Sequence, residues 1–78
     1  MQHSIVEFID AQLVTIKEVL RVDDAYYVND IIVTNVTDPD LRFLVEELLD
    51  RFDYKGEARA IVLEIIDAIQ AKIAESEE

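Results

Sequence analysis

The chain has 78 residues, 51% apolar and 32% charged, with one Gly, one Pro and no Cys. It is therefore bounded to one domain, near the size at which a single core barely offsets the entropy of ordering the chain, and disulfides and thiolate metal sites are excluded. Its 18 acidic residues against 7 Lys and Arg leave a net charge of −11, which disfavours direct contact with nucleic acid or anionic lipid, whose phosphates would repel it.

At the start of the chain, Ser4 and Glu7 have the Ser-x-x-Glu spacing of a capping box. Ile5, Phe8, Ile9, Leu13, Ile16, Val19 and Leu20 then recur at helical spacing as far as Arg21, which predicts a first helix beginning at Ser4. Glu7, Asp10, Lys17, Glu18 and Arg21 take its water-facing side, and Val14 falls among them. His3, the only imidazole, precedes the cap, and residues 1–3 are expected to be mobile.

Val22 to Thr37, VDDAYYVNDIIVTNVT, supports two readings. As a helix, Asp23 or Asp24 caps the start and Tyr27, Val28, Ile31 and Ile32 form a stripe that packs onto the final helix. As a hairpin at about 25–36, Tyr26-Tyr27-Val28 and Ile31-Ile32-Val33 flank an Asn29-Asp30 turn. Residue propensity favours the hairpin. Context favours the helix, since an isolated two-stranded hairpin is marginal and no other stretch offers strands to pair with.

Thr37-Asp38-Pro39-Asp40 marks a boundary, with Asp38 as cap and Pro39 at the first helical position. The next helix runs to about Asp53 on a core stripe of Leu41, Leu44, Val45, Leu48, Leu49 and Phe52, with Phe43 on its charged side. Gly56 suits the left-handed residue that ends that helix, beside Lys55. From Gly56 to Glu78 the apolar residues Ala58, Val62, Ile65, Ile66, Ile69 and Ile73 share one face, and Leu63 sits among the charges of the other. The acidic end, Glu75, Glu77 and Glu78, opposes the helix dipole, so residues 76–78 are expected to fray.

Four amphipathic segments with short connections predict an all-α fold, a small antiparallel four-helix bundle over residues 1–78 as a single domain. Three helices plus a β-hairpin is the alternative. The beginning of the chain lacks the basic and long apolar regions of a secretory signal, and no apolar run approaches the roughly 20 residues that span a bilayer. A cytoplasmic location without membrane contact is expected.

Nothing in the pattern points to chemistry. Glu46, Glu47 and Asp50 cluster on an outward helix face and lack the inward Glu-x-x-His pairs of a bundle metal site, while Asp23, Asp24 and Asp30 lack the glycine and spacing of a calcium loop. Without Cys, with serines only at Ser4 and Ser76, and without a glycine-rich phosphate loop, the usual nucleophile and nucleotide arrangements are missing. No catalytic residue, metal or cofactor is expected.

In length, acidity and helical pattern the chain resembles the acyl carrier proteins, and Asp40-Leu41 through Leu44-Val45 to Phe52-Asp53 resembles that family's second helix. The attachment serine of the family's Asp-Ser-Leu motif is Asp38 or Pro39 here. The resemblance therefore implies no phosphopantetheine arm, and the chain is not assigned to the family.

The remaining signals lie on the surface. Val14, Phe43 and Leu63 each interrupt a charged face and are candidates for self-association as a homodimer. Between Arg21 and Arg42 there is no basic residue, and Asp23, Asp24 and Asp30 stand beside Tyr26 and Tyr27, which together suit a basic protein partner. The expected function is a non-enzymatic, acidic protein-binding regulator or inhibitor that occupies a basic, nucleic-acid-binding surface of its target. Small phage-encoded inhibitors, anti-CRISPR proteins among them, work in this way, an analogy that rests on no matching residues. A structural or assembly subunit acting through homo-oligomerisation is the alternative, and a carrier-like binder of an apolar ligand is a third reading.

Overall fold

The structure is a computed structural model that describes residues 3–77. These residues fold into four helices: α1 (His3–Val19), α2 (Val22–Thr34), α3 (Leu41–Arg51) and α4 (Glu57–Glu77). α1 packs on α2 and α4, and α3 packs on the same two, so α1 and α3 occupy opposite corners of a four-helix bundle measuring 37 × 21 × 20 Å. Neighbouring helices run antiparallel. Asn29 of α2 reaches Leu13 of α1, Arg42 and Arg59 clasp opposite ends of the α3–α4 seam, and Lys72 of α4 lies over the Phe8 ring of α1. Among the described residues no helix is long and apolar enough to cross a membrane.

The core is aliphatic and drawn from every helix: Ile5, Ile9 and Ile16 from α1, Ala25, Val28 and Ile32 from α2, Leu41, Val45 and Leu49 from α3, and Val62, Ile65, Ile66, Ile69 and Ile73 from α4, with Leu20 closing the α1–α2 turn. The segment that could read as a hairpin is thus helical, and the alternative fold is excluded. Its phase differs from the expected one. Ala25, Val28 and Ile32 face inward with Asn29, whereas Tyr27 is exposed and Ile31 only partly buried. The small Ala25 side chain occupies the inward position, and this turns both tyrosines toward solvent.

The helix ends follow different chemistry from that expected. α1 already includes Ser4, and Glu7, instead of closing a capping box, pairs one turn back with His3 Nε2 at 2.8 Å. Of the ends expected to be mobile, His3, Ser76 and Glu77 lie within helices, and Met1, Gln2 and Glu78 fall outside the described residues. α2 starts from Arg21 in an extended conformation, with no side-chain cap. Asp23 and Asp24 sit in its first turn, where they complement the dipole instead of capping. Asp38-Pro39-Asp40-Leu41 forms a type I turn: Leu41 N donates to Asp38 O, Asp40 N to Asp38 Oδ1, and Asp40 has φ −90° and ψ 8°. The helix expected from Pro39 therefore begins at Leu41.

α3 ends in a Schellman motif, with Asp53 at φ 64°, Tyr54 N donating to Leu49 O at 2.9 Å and Asp53 N to Asp50 O at 3.1 Å. The left-handed residue that ends α3 is thus Asp53 and not Gly56. Gly56, at φ 67°, instead opens α4, its carbonyl accepting from Ala60 N.

Candidate functional site

Among the described residues, seven large apolar side chains are markedly exposed, and four of them, Val22, Tyr26, Tyr27 and Val33, stand on α2 at between 55% and 81% exposure. Between them on the outer side of this helix lie Asp23 and Asp30, and α2 carries no basic residue. The tyrosines meet edge to face with centroids 5.8 Å apart, and Tyr27 continues to the Phe52 ring at 6.0 Å. An aromatic ladder thus crosses from α2 to the end of α3 between carboxylates. Asp23, Tyr26, Tyr27 and Asp30, four of the five residues expected to meet a partner, share this surface.

The fifth, Asp24, does not belong to it. Its side chain turns inward and the residue is 7% exposed. Oδ2 accepts hydrogen bonds from Arg21 Nε at 2.9 Å and from the Tyr54 hydroxyl at 2.9 Å, and forms an ion pair with Arg21 Nη2 at 2.8 Å. The same hydroxyl accepts from Arg21 N at 2.9 Å. The Tyr54 hydroxyl and, after it, the Asp24 carboxylate raise the pKa of the Arg21 guanidinium above its ordinary value. Asp24 is a clasp between the α1–α2 turn and the α3–α4 turn.

Val14, Phe43 and Leu63 do not form one surface. Val14 and Phe43 are exposed, but on helices at opposite corners of the bundle. Leu63, expected among charges, is 8% exposed and belongs to the core cluster, with Arg42 and Arg59 beside it. Arg42 reaches across from α3, its Nη1 donating to Leu63 O at 3.4 Å and Asp67 Oδ2 at 2.7 Å, while Arg59, one turn before Leu63, pairs with Glu46 and Asp50. Long side chains with charged tips commonly shield an apolar residue in this way.

A feature not anticipated from the residues is the groove between α1 and α2. Its upper part, about 340 Å3, is lined by Lys17, Val22, Tyr26, Asn29, Asp30 and Val33. Val33 also borders a second hollow of about 160 Å3 with Val6, Ile9, Asp10 and Val36. Asn29 is 9% exposed; its Nδ2 donates to Leu13 O at 3.3 Å, and its Oδ1 is buried without a hydrogen-bond partner. The signal for this groove was present as the alternating four- and three-residue spacing of Val22, Tyr26, Asn29, Val33 and Val36.

No group of three or more His, Asp or Glu side chains among the described residues is placed to hold a metal ion. Comparison with family models, curated proteins and solved structures finds no match.

Proposed function

We propose that this chain is a non-enzymatic, acidic protein-binding domain of the regulator or inhibitor kind, which sets the outer face of α2 against a basic surface on its partner. The observation that carries the reading is the composition of that face: exposed tyrosines and valines separated only by carboxylates, on a helix with no cation. Aromatic side chains supply contact area at small entropic cost and attract cations over their rings. The flanking acids guide a basic partner into register and speed its encounter. A basic nucleic-acid-binding groove has the matching chemistry, and a domain of charge −11 would compete there with the natural polyanion.

The test is affinity capture from nuclease-treated lysate with the whole chain, in parallel with a double variant, Asp23→Lys with Asp30→Lys, and with Tyr27→Ser. The expected outcome is recovery of basic proteins, loss of them from both variants, and their release as salt rises toward about 1 M, where the screening length falls to about 3 Å. Recovery indifferent to both variants, or recovery of the chain alone, refutes the reading. The latter result would favour the second reading, an assembly subunit acting through self-association, for which the α1–α2 groove is the supporting feature.

A further inference from the structure

We infer that the α1–α2 groove receives a second copy of this chain, docked antiparallel about a two-fold axis at the level of Asn29. This goes beyond the docking of a basic partner and uses the seam side of α2 with α1, which shares Val22, Tyr26, Asp30 and Val33 with the outer face and adds Lys17, Asn29 and Asp10.

The symmetry follows from the positions of the side chains. The hydrogen bond from Asn29 Nδ2 to Leu13 O places these two residues in one layer. From Asn29, apolar residues stand three positions back at Tyr26, four ahead at Val33, and seven away in either direction at Val22 and Val36. A strip spaced in this way meets its own reversed copy with apolar groups opposite apolar groups, Tyr26 against Val33, while Val36, in the turn after α2 and partly packed on the core, lies beyond the helical part of the strip.

The charges on the α1 side of the strip are also self-complementary, whereas on the α2 side the two Asp30 carboxylates meet as like charges at the exposed edge. On α1, Asp10 lies three residues before Leu13 and Lys17 four after it, and neither forms an ion pair among the described residues. Reversal about the shared layer sets Lys17 of each copy against Asp10 of the other. A partner helix that was only basic would satisfy Asp10 and Asp30 but would meet Lys17 as a like charge, whereas the second copy answers both Asp10 and Lys17 and leaves only the exposed Asp30 pair unanswered.

Asn29 supplies the independent observation. Its Oδ1 is buried with no donor, a costly state for an amide oxygen. Across the two-fold axis, a change in the side-chain torsion lets Oδ1 accept the second Nδ2 hydrogen of its counterpart, and the reverse, while each first hydrogen stays on Leu13 O. A single buried Asn in an otherwise apolar helix seam is a known device for fixing register and copy number.

Sedimentation of the whole chain at about 100 µM tests the inference with surface variants that leave the core untouched. A dimer is expected. Lys17→Asp should weaken it roughly tenfold, since two ion pairs become two repulsions, and Asp10→Lys should do the same. The combined Asp10→Lys and Lys17→Asp variant should restore it. Because two chains of charge −11 repel at long range, the dimer should tighten as salt rises, the opposite of a contact with a basic partner, so failure of either reading is separately visible. A wild-type monomer overturns the inference. So does a dimer that ignores the charge exchange or is broken by Phe43→Asp instead.

Discussion

The Asp24 carboxylate has traded water for two hydrogen-bond donors and an ion pair on one oxygen, and its neighbour Asp23 has not. Hydrogen bonds to a charged group contribute about 1.5–3 kcal/mol, so Asp24→Ala should lower stability by roughly 2 kcal/mol, or about 8–16 °C in Tm for a domain of this size. Asp23→Ala should stay within about 0.5 kcal/mol, as surface changes usually do. Paired thermal melts decide it, and equal losses at the two positions would contradict the clasp. Nothing in the run Val22-Asp23-Asp24 distinguished these acids, because the partner that selects Asp24 is Tyr54, thirty positions along the chain. Leu63 was misread for the same reason: a helical wheel places it among charges, while in the fold it joins the core cluster beside an arginine that arrives from another helix. The exposure of Val14 and Phe43 involves no such remote partner, and it was legible from helical period alone.

At the scale of elements, the four helices were readable because the apolar period of each agrees with a single shared core. The tension in α2 between propensity and context was resolved by packing, as happens when residues with modest helix preference gain a buried face. What was not readable was the chemistry of the helix ends. Gly is the usual left-handed residue at a helix C-terminus, yet Asp53 takes that position and Gly56 takes another, because the turn closes as soon as Tyr54 N finds Leu49 O. Asp tolerates this region better than most residues but at a cost. Asp53→Gly should therefore stabilise the protein by about 0.5 kcal/mol, the loss of its exposed contact with Lys55 counting for little. Gly56→Ala should destabilise it by about 1 kcal/mol, through the positive φ alone, since a Cβ there meets no atom within 4 Å. Denaturant titrations of both variants test the assignment, and a destabilised Asp53→Gly would count against it.

Across the whole molecule the charges are unevenly answered. Arg42 and Arg59 bind Glu46, Asp50 and Asp67 along the α3–α4 seam, while Asp23 and Asp30 on α2 have no ion-pair partner among the described residues. Self-repulsion of the excess acids should dominate, so Tm should rise between about 0.02 M and 0.3 M salt as the screening length shortens. A fall would mean that the arginine seam outweighs the excess. The Tyr54 hydroxyl, finally, gives the molecule a native reporter. Every helix carries amide protons held by its own turns, and these register the loss of that helix. The Arg21 amide is held by a side chain from the far hairpin, so its hydrogen exchange should time the parting of the α1–α2 unit from the α3–α4 unit, a sub-global opening that helix amides do not sense. Tyr54→Phe should speed exchange at Arg21 while leaving Val28 and Ile66 protected, and the bundle's two halves would then be distinguishable as separate cooperative units.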